Sequence, residues 1–177
     1  MFDFDKFVVL AGRAGGEEPS EAFGAGLRSI HDAEDPSLAE DAAASKVLGA
    51  LEALFLMIAV EGRVMEEEED AARSVLHELA AARLDPGEIE ELLAAFAERL
   101  EAEGFAARLE TVGRLLREDR GLAESAFRLC AAVVAADGRD ANEDNEALNA
   151  LMDELHLDDE SADRILGEVR KRLSSAA

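Results

Sequence analysis

Tryptophan and tyrosine are missing from this chain, cysteine occurs once, and there are only 3 prolines. Without Trp or Tyr, stacking platforms for nucleotide bases would fall to 8 Phe, which mostly sit at core spacing. Cations are also scarce: 18 Lys and Arg face 41 Asp and Glu, giving a net charge of −23 and a pI near 4.3. Such a field repels phosphate backbones and anionic lipid headgroups, so nucleic acid is excluded as an expected partner and cations or basic protein surfaces are favoured. The lone Cys130 cannot close an intramolecular disulfide, which fits a reducing compartment, and its apolar neighbours Phe127, Val133 and Val134 predict a buried thiol. No apolar run approaches the roughly 20 residues needed to span a bilayer; the run Ala53 to Val60 is far too short. The opening Met1-Phe2-Asp3-Phe4-Asp5-Lys6 is acidic where a secretory leader needs basic residues, so a cytoplasmic protein without direct membrane insertion is expected. Alternating β-branched runs are missing, which argues against sheet. No glycine-rich phosphate loop, nucleophile elbow or Cys/His dyad can be assembled, so an enzyme is not expected.

What is present is a sequence rich in Ala, Leu, Glu and Arg, 177 residues long with 49% hydrophobic residues, enough for one helical domain with a real core. Residues Phe2 to Ala11 and Ser20 to Ile30 read as short helices around a break at Gly12, Gly15, Gly16 and Pro19. Ser37 with Glu40 resembles a capping box opening a long buried helix through Val47, Leu51, Leu54 and Ile58. Glu66 to Asp70 opens the next helix, with carboxylates at its positive end. Asp85-Pro86-Gly87-Glu88 is the clearest start signal in the chain. Helices are then expected from Phe105 to Arg117, Leu122 to Asp137 and Glu143 to Leu155, and a last one capped by Asp158-Asp159. The expected fold class is all-α: a single bundle of about seven to eight helices with an internal pseudo-twofold duplication. The segment 1–34 precedes a helical domain 35–174, with one repeat at 37–102 and the other at 105–173.

The duplication rests on an offset of 76, which lays Glu61-Gly62-Arg63 on Asp137-Gly138-Arg139, Glu67 on Glu143, Ala71 on Ala147 and Leu79 on Leu155. In both copies an apolar helix ends in an acidic residue and Gly, and acidic residues start the next helix. Carboxylate oxygens crowded at such a turn suit hard cations such as Ca²⁺ or Mg²⁺. The second turn is not an EF-hand: counted from Asp140, the sixth position is Asn145 rather than Gly and the twelfth is Leu151 rather than Glu. Two readings of the residues stay open, a cation site shared between the turns and solvated charges at helix ends. Histidine chemistry is sparse. Of the 3 His, only His156 has a carboxylate three residues before it, Asp153, and one such pair makes no di-iron site; His77 and His156 read as surface or boundary residues.

The doubled pattern, IAVEGRVMEEEED in the first half and VVAADGRDANEDNEAL leading to LMDELHL in the second, resembles the TerB-like (tellurite resistance protein B) family. The resemblance extends through ETVGRLLREDRGLAESAFRL and the opening FDFDKF. It implies an all-α duplicated fold in a bacterial cytoplasmic protein of a stress-response, tellurite-resistance-type system. It also implies metal held by acidic residues of the two turns, and protein partners in membrane-associated complexes. Carried onto this chain, the metal positions are Glu61, Glu67 and Glu68 in the first turn and Asp137, Glu143 and Asp144 in the second. The chain departs from the family at Glu61, where Asp is usual, and at Met65 and Ala141, where a capping residue is common. The alternative function is a metal-independent acidic module that docks other proteins.

Overall fold

The computed structural model describes residues 3, 5–7, 21–38, 41–60, 66–80, 83–137 and 145–176. Among them the chain is all-helical, with no strand. The eight helices described are α1 (Glu21–Asp32), α2 (Ala42–Ile58), α3 (Glu66–Ala80), α4 (Pro86–Glu103), α5 (Phe105–Leu116), α6 (Arg120–Ala136), α7 (Glu146–Glu154) and α8 (Asp159–Ala176). A 3-10 turn, Pro36–Leu38, lies between α1 and α2, and residues 5–7 form a short helical segment.

Two helices organise the bundle. In α2 every residue from Val47 to Ile58 is buried, and in α6 every residue from Leu129 to Ala136. A helix buried on every side has to be enclosed by others; accordingly α1, α3, α5 and α6 all pack on α2, and α2, α7 and α8 pack on α6. The two central helices thus lie against each other. Phe7 and the α1 residues Phe23, Leu27 and Ile30 belong to the same hydrophobic core as α2 and α6. Two glycines permit close approach. A Cβ on Gly26 of α1 would run into Val47 and lie 2.7 Å from the Ala43 carbonyl, and one on Gly113 of α5 would lie 2.8 Å from the Glu154 carbonyl at the end of α7.

Local signals account for most helix starts. Asp85 accepts from the Glu88 amide at 2.9 Å while the Glu88 carboxylate accepts from the Asp85 amide at 2.8 Å, a complete capping box with Pro86 at the first helical position. Asp158 caps α8 by accepting from the Ser161 amide at 2.7 Å. Gly104, with φ +85°, turns the chain sharply from α4 into α5, a conformation that an L side chain resists. The long buried helix starts later than its sequence suggests. Asp41, not Ser37, is its N-cap, accepting from the Ala43 amide at 2.7 Å. Ser37 is instead drawn back to Asp35, whose Oδ1 accepts from both its amide and its hydroxyl; this local turn competes with helix. Its expected partner Glu40 lies outside the described residues, as does the break at Gly12, Gly15, Gly16 and Pro19. Helix α7 starts at Glu146 rather than Glu143, with Asn145 capping the Leu148 amide.

Arginines fasten the later helices together. Arg120 donates to Glu124, Asp158 and Ser161, Arg164 to Glu124 and Glu168, and Arg128 to Glu168, so α8 is clamped along α6. Hydrogen bonds from the Arg120 guanidinium and from Ser161 hold the Asp158 carboxyl well below the ordinary carboxylate range. Among the described residues no helix is long and apolar enough to cross a membrane.

Candidate functional site

The two acidic turns depart from the central helices. Helix α2 closes at Ile58, with the amide of its C-cap Ala59 donating to the Phe55 carbonyl, and Val60 is half-buried. After residues 61–65, which are not described, α3 opens with four carboxylates in its first turn, Glu66 to Glu69. Glu67 is exposed there and Glu68 half-buried. Both stand at the positive end of the α3 dipole, which favours their charge. Asp70 and Glu69 in turn bind Arg73, which also reaches Glu90 on α4.

The second turn leaves α6 at Asp137, its C-cap, half-buried and donating its amide to the Val133 carbonyl at 3.0 Å. Here the helix presents its negative end, so the carboxylate stands where a cation is favoured. The backbone near the N-terminus meets this point: the Asp3 amide donates to the Ala136 carbonyl at 3.0 Å. Of the six candidate metal residues, Glu67, Glu68 and Asp137 are therefore placed, and Glu61, Glu143 and Asp144 lie outside the described residues. Among the described residues no group of three or more His, Cys, Asp or Glu is gathered closely enough to hold a metal ion.

No protein-family model, curated protein or solved structure matches this chain.

The most developed polar arrangement lies away from the turns and outside the sequence expectations. Glu52, in the middle of α2, is 3% exposed, and its two oxygens accept from Arg108 of α5 at 2.8 and 2.9 Å. Arg108 also donates to Glu103, and Arg99 of α4 approaches Glu52 at 3.7 Å. The bond to Glu52 is the main cause of a raised Arg108 pKa, so the guanidinium keeps its charge despite burial. A signal exists in the sequence: Glu52 follows Leu48 by four residues and Arg108 precedes Val112 by four, so both charges fall on apolar helix faces. Both Glu52 oxygens are taken up by protein donors, which makes this bidentate pair a structural tie between α2, α4 and α5.

The remaining titratable groups carry little chemistry. Cys130 is fully buried and its thiol is pushed far up by desolvation, so it is not poised as a nucleophile. His77 is half-buried and His156 exposed. His156 occupies the left-handed position after α7, φ +54°, where the Leu157 amide donates to the Met152 carbonyl and the His156 amide to Asp153, and its Nε2 accepts from Arg117. His31, at the end of α1, binds Glu88 of the α4 cap at 2.9 and 3.0 Å.

Proposed function

We propose that this chain is a non-enzymatic, cytoplasmic TerB-like helical domain whose two acidic turns take a divalent cation, Ca²⁺ or Mg²⁺, within a bacterial stress-response assembly. The observation that carries the reading is the packing of α2 on α6. Each central helix runs into one acidic turn, and side-by-side packing is what a duplicated unit needs if its two turns are to act together. Glu67 and Glu68 border the first turn and Asp137 the second, and the net charge of −23 raises the local cation concentration around both. Replacing Asp137→Asn together with Glu143→Gln tests the reading: cation-dependent stabilisation should vanish while the apo protein keeps its helical content.

A second reading is favoured by Arg73, which draws Glu69 and Asp70, beside the first turn, into ion pairs of their own. The chain would then be a metal-independent interaction module, presenting its acidic surface to a basic protein partner. Under that reading the same double variant leaves cation response unchanged, and partner binding weakens steeply with added salt.

A further inference from the structure

Helix α2 poses a packing problem that its apolar residues do not solve. From Val47 to Ile58 it is buried on every side, against α1, α3, α4, α5 and α6. At 3.6 residues per turn, Leu48, Leu51, Leu54 and Leu56 are spread round the helix axis. Turning α2 about that axis therefore trades one leucine-bearing side for another, and apolar cores lose uniqueness before they lose stability. The Gly26 notch seats α1 against Ala43 and Val47, near the start of α2. Toward α4 and α5 the directional contact is Glu52, the single charge from Val47 to Ile58.

Glu52 Oε1 accepts from Arg108 Nε at 2.8 Å and Oε2 from Nη2 at 2.9 Å, a planar fork that fixes orientation as well as distance. Arg108 Nη1 continues to Glu103 at the end of α4, at 3.1 Å. Arg99, 3.7 Å from Glu52, donates to the Ser37 carbonyl at 2.9 Å, so the chain of contacts reaches the 3-10 turn. Three residues after Glu52, Phe55 lies against Phe96 of α4, with ring centroids 5.8 Å apart. Phe96 in turn precedes Arg99 by three, so the ionic and the aromatic contact share one face of each helix. Sliding α2 by one turn, about 5.4 Å, would bury the carboxylate without its donors and leave Arg108 facing apolar side chains, which burial penalises.

A contrast stands on α6. The offset of 76 that relates the acidic turns lays Glu52 on Arg128, which donates to Glu168 of α8 at 3.1 Å. The Arg128 side chain is 24% exposed, so water can replace its partner.

We infer that the Glu52–Arg108 pair selects the rotation and register of α2, favouring one packing over others of similar apolar burial while adding little net stability. The same contact sets the direction in which the chain leaves α2 at Ala59 and Val60, toward the first acidic turn.

Nuclear magnetic resonance on the full chain tests this, with a urea midpoint for each protein. In Glu52→Leu with Arg108→Met the midpoint should stay close to that of wild type. The Phe55–Phe96 nuclear Overhauser contact should nevertheless weaken or vanish, and the amides from Leu51 to Phe55 should exchange about tenfold faster. Arg128→Met with Glu168→Leu should keep both the contact and the rates. An intact Phe55–Phe96 contact with wild-type exchange in the first double variant overturns the inference. So does a first double variant that unfolds or loses much of its midpoint, because the pair then supplies stability and not register. Equal loosening of α2 in the Arg128 variant also overturns it, since any lost ion pair would then have the same effect.

Discussion

Arg108→Met should be among the most damaging single substitutions in the chain. It leaves Glu52, whose side chain is 4% exposed, with Arg99 at 3.7 Å as its cationic neighbour among the described residues. Breaking a buried pair by removing one partner costs about 3–5 kcal/mol, because the surviving charge has lost its solvent and its counter-ion. Glu52→Leu is milder, about 2–3 kcal/mol, since Arg108 keeps Glu103 at 3.1 Å and its guanidinium can shift toward water. The double variant Glu52→Leu with Arg108→Met removes both charges and fills the space with apolar atoms; it should fall within about 1 kcal/mol of wild type, or exceed it. Urea unfolding followed by circular dichroism measures all four proteins. Domains of this kind have about 5–15 kcal/mol in total, so the single losses are resolvable and a marginal protein would be unfolded by Arg108→Met. A cost below about 1 kcal/mol for Arg108→Met, or a double variant as unstable as the two singles summed, refutes the reasoning.

Other outcomes follow from the same contacts. Glu88 raises the pKa of His31, first through its hydrogen bond and then through its charge. The His31 contribution is therefore full below its unfolded value of about 6.5 and is lost as pH rises through the raised folded value; the urea midpoint should drop across that window in wild type and stay flatter in His31→Gln, and equal slopes would contradict the contact. Gly26→Ala and Gly113→Ala force a methyl onto opposing backbone and should each cost about 1–3 kcal/mol. Gly49→Ala, in mid-helix with its nearest neighbours at 3.6 Å or beyond, should instead gain about 0.5–1 kcal/mol in the same assay.

The elements that sequence resolves here are those with local causes. The Asp85 box, the Asp158 cap, the break at Gly104 and the apolar periodicity of α2 and α6 are set by residues within four positions of one another. The start of α2 is harder because two local signals overlap: Ser37 could open a helix, yet Asp35 captures it and Asp41 becomes the cap. Asp41 is further held by Ser29, twelve residues away, which donates to it at 3.2 Å. The Glu52–Arg108 pair spans 56 residues, and no local pattern pairs them, although each charge could be noticed on an apolar face. Of the candidate site, the helix ends that bear Glu67, Glu68 and Asp137 follow from helix signals. Whether the two turns act together depends on how whole helices pack, which local spacing does not encode.

The measurement that bears most directly on the acidic turns is thermal unfolding of EDTA-stripped protein, with Ca²⁺ and Mg²⁺ titrated at constant ionic strength. An ion bound only by the native state at about 100 times its dissociation constant adds roughly 2.7 kcal/mol, a readily visible rise in midpoint. A cation site at the turns gives a saturating rise with one of these ions that Asp137→Asn abolishes. A small rise of equal size with every divalent ion, retained in Asp137→Asn, would be screening of the −23 charge and would contradict a cation site at the turns.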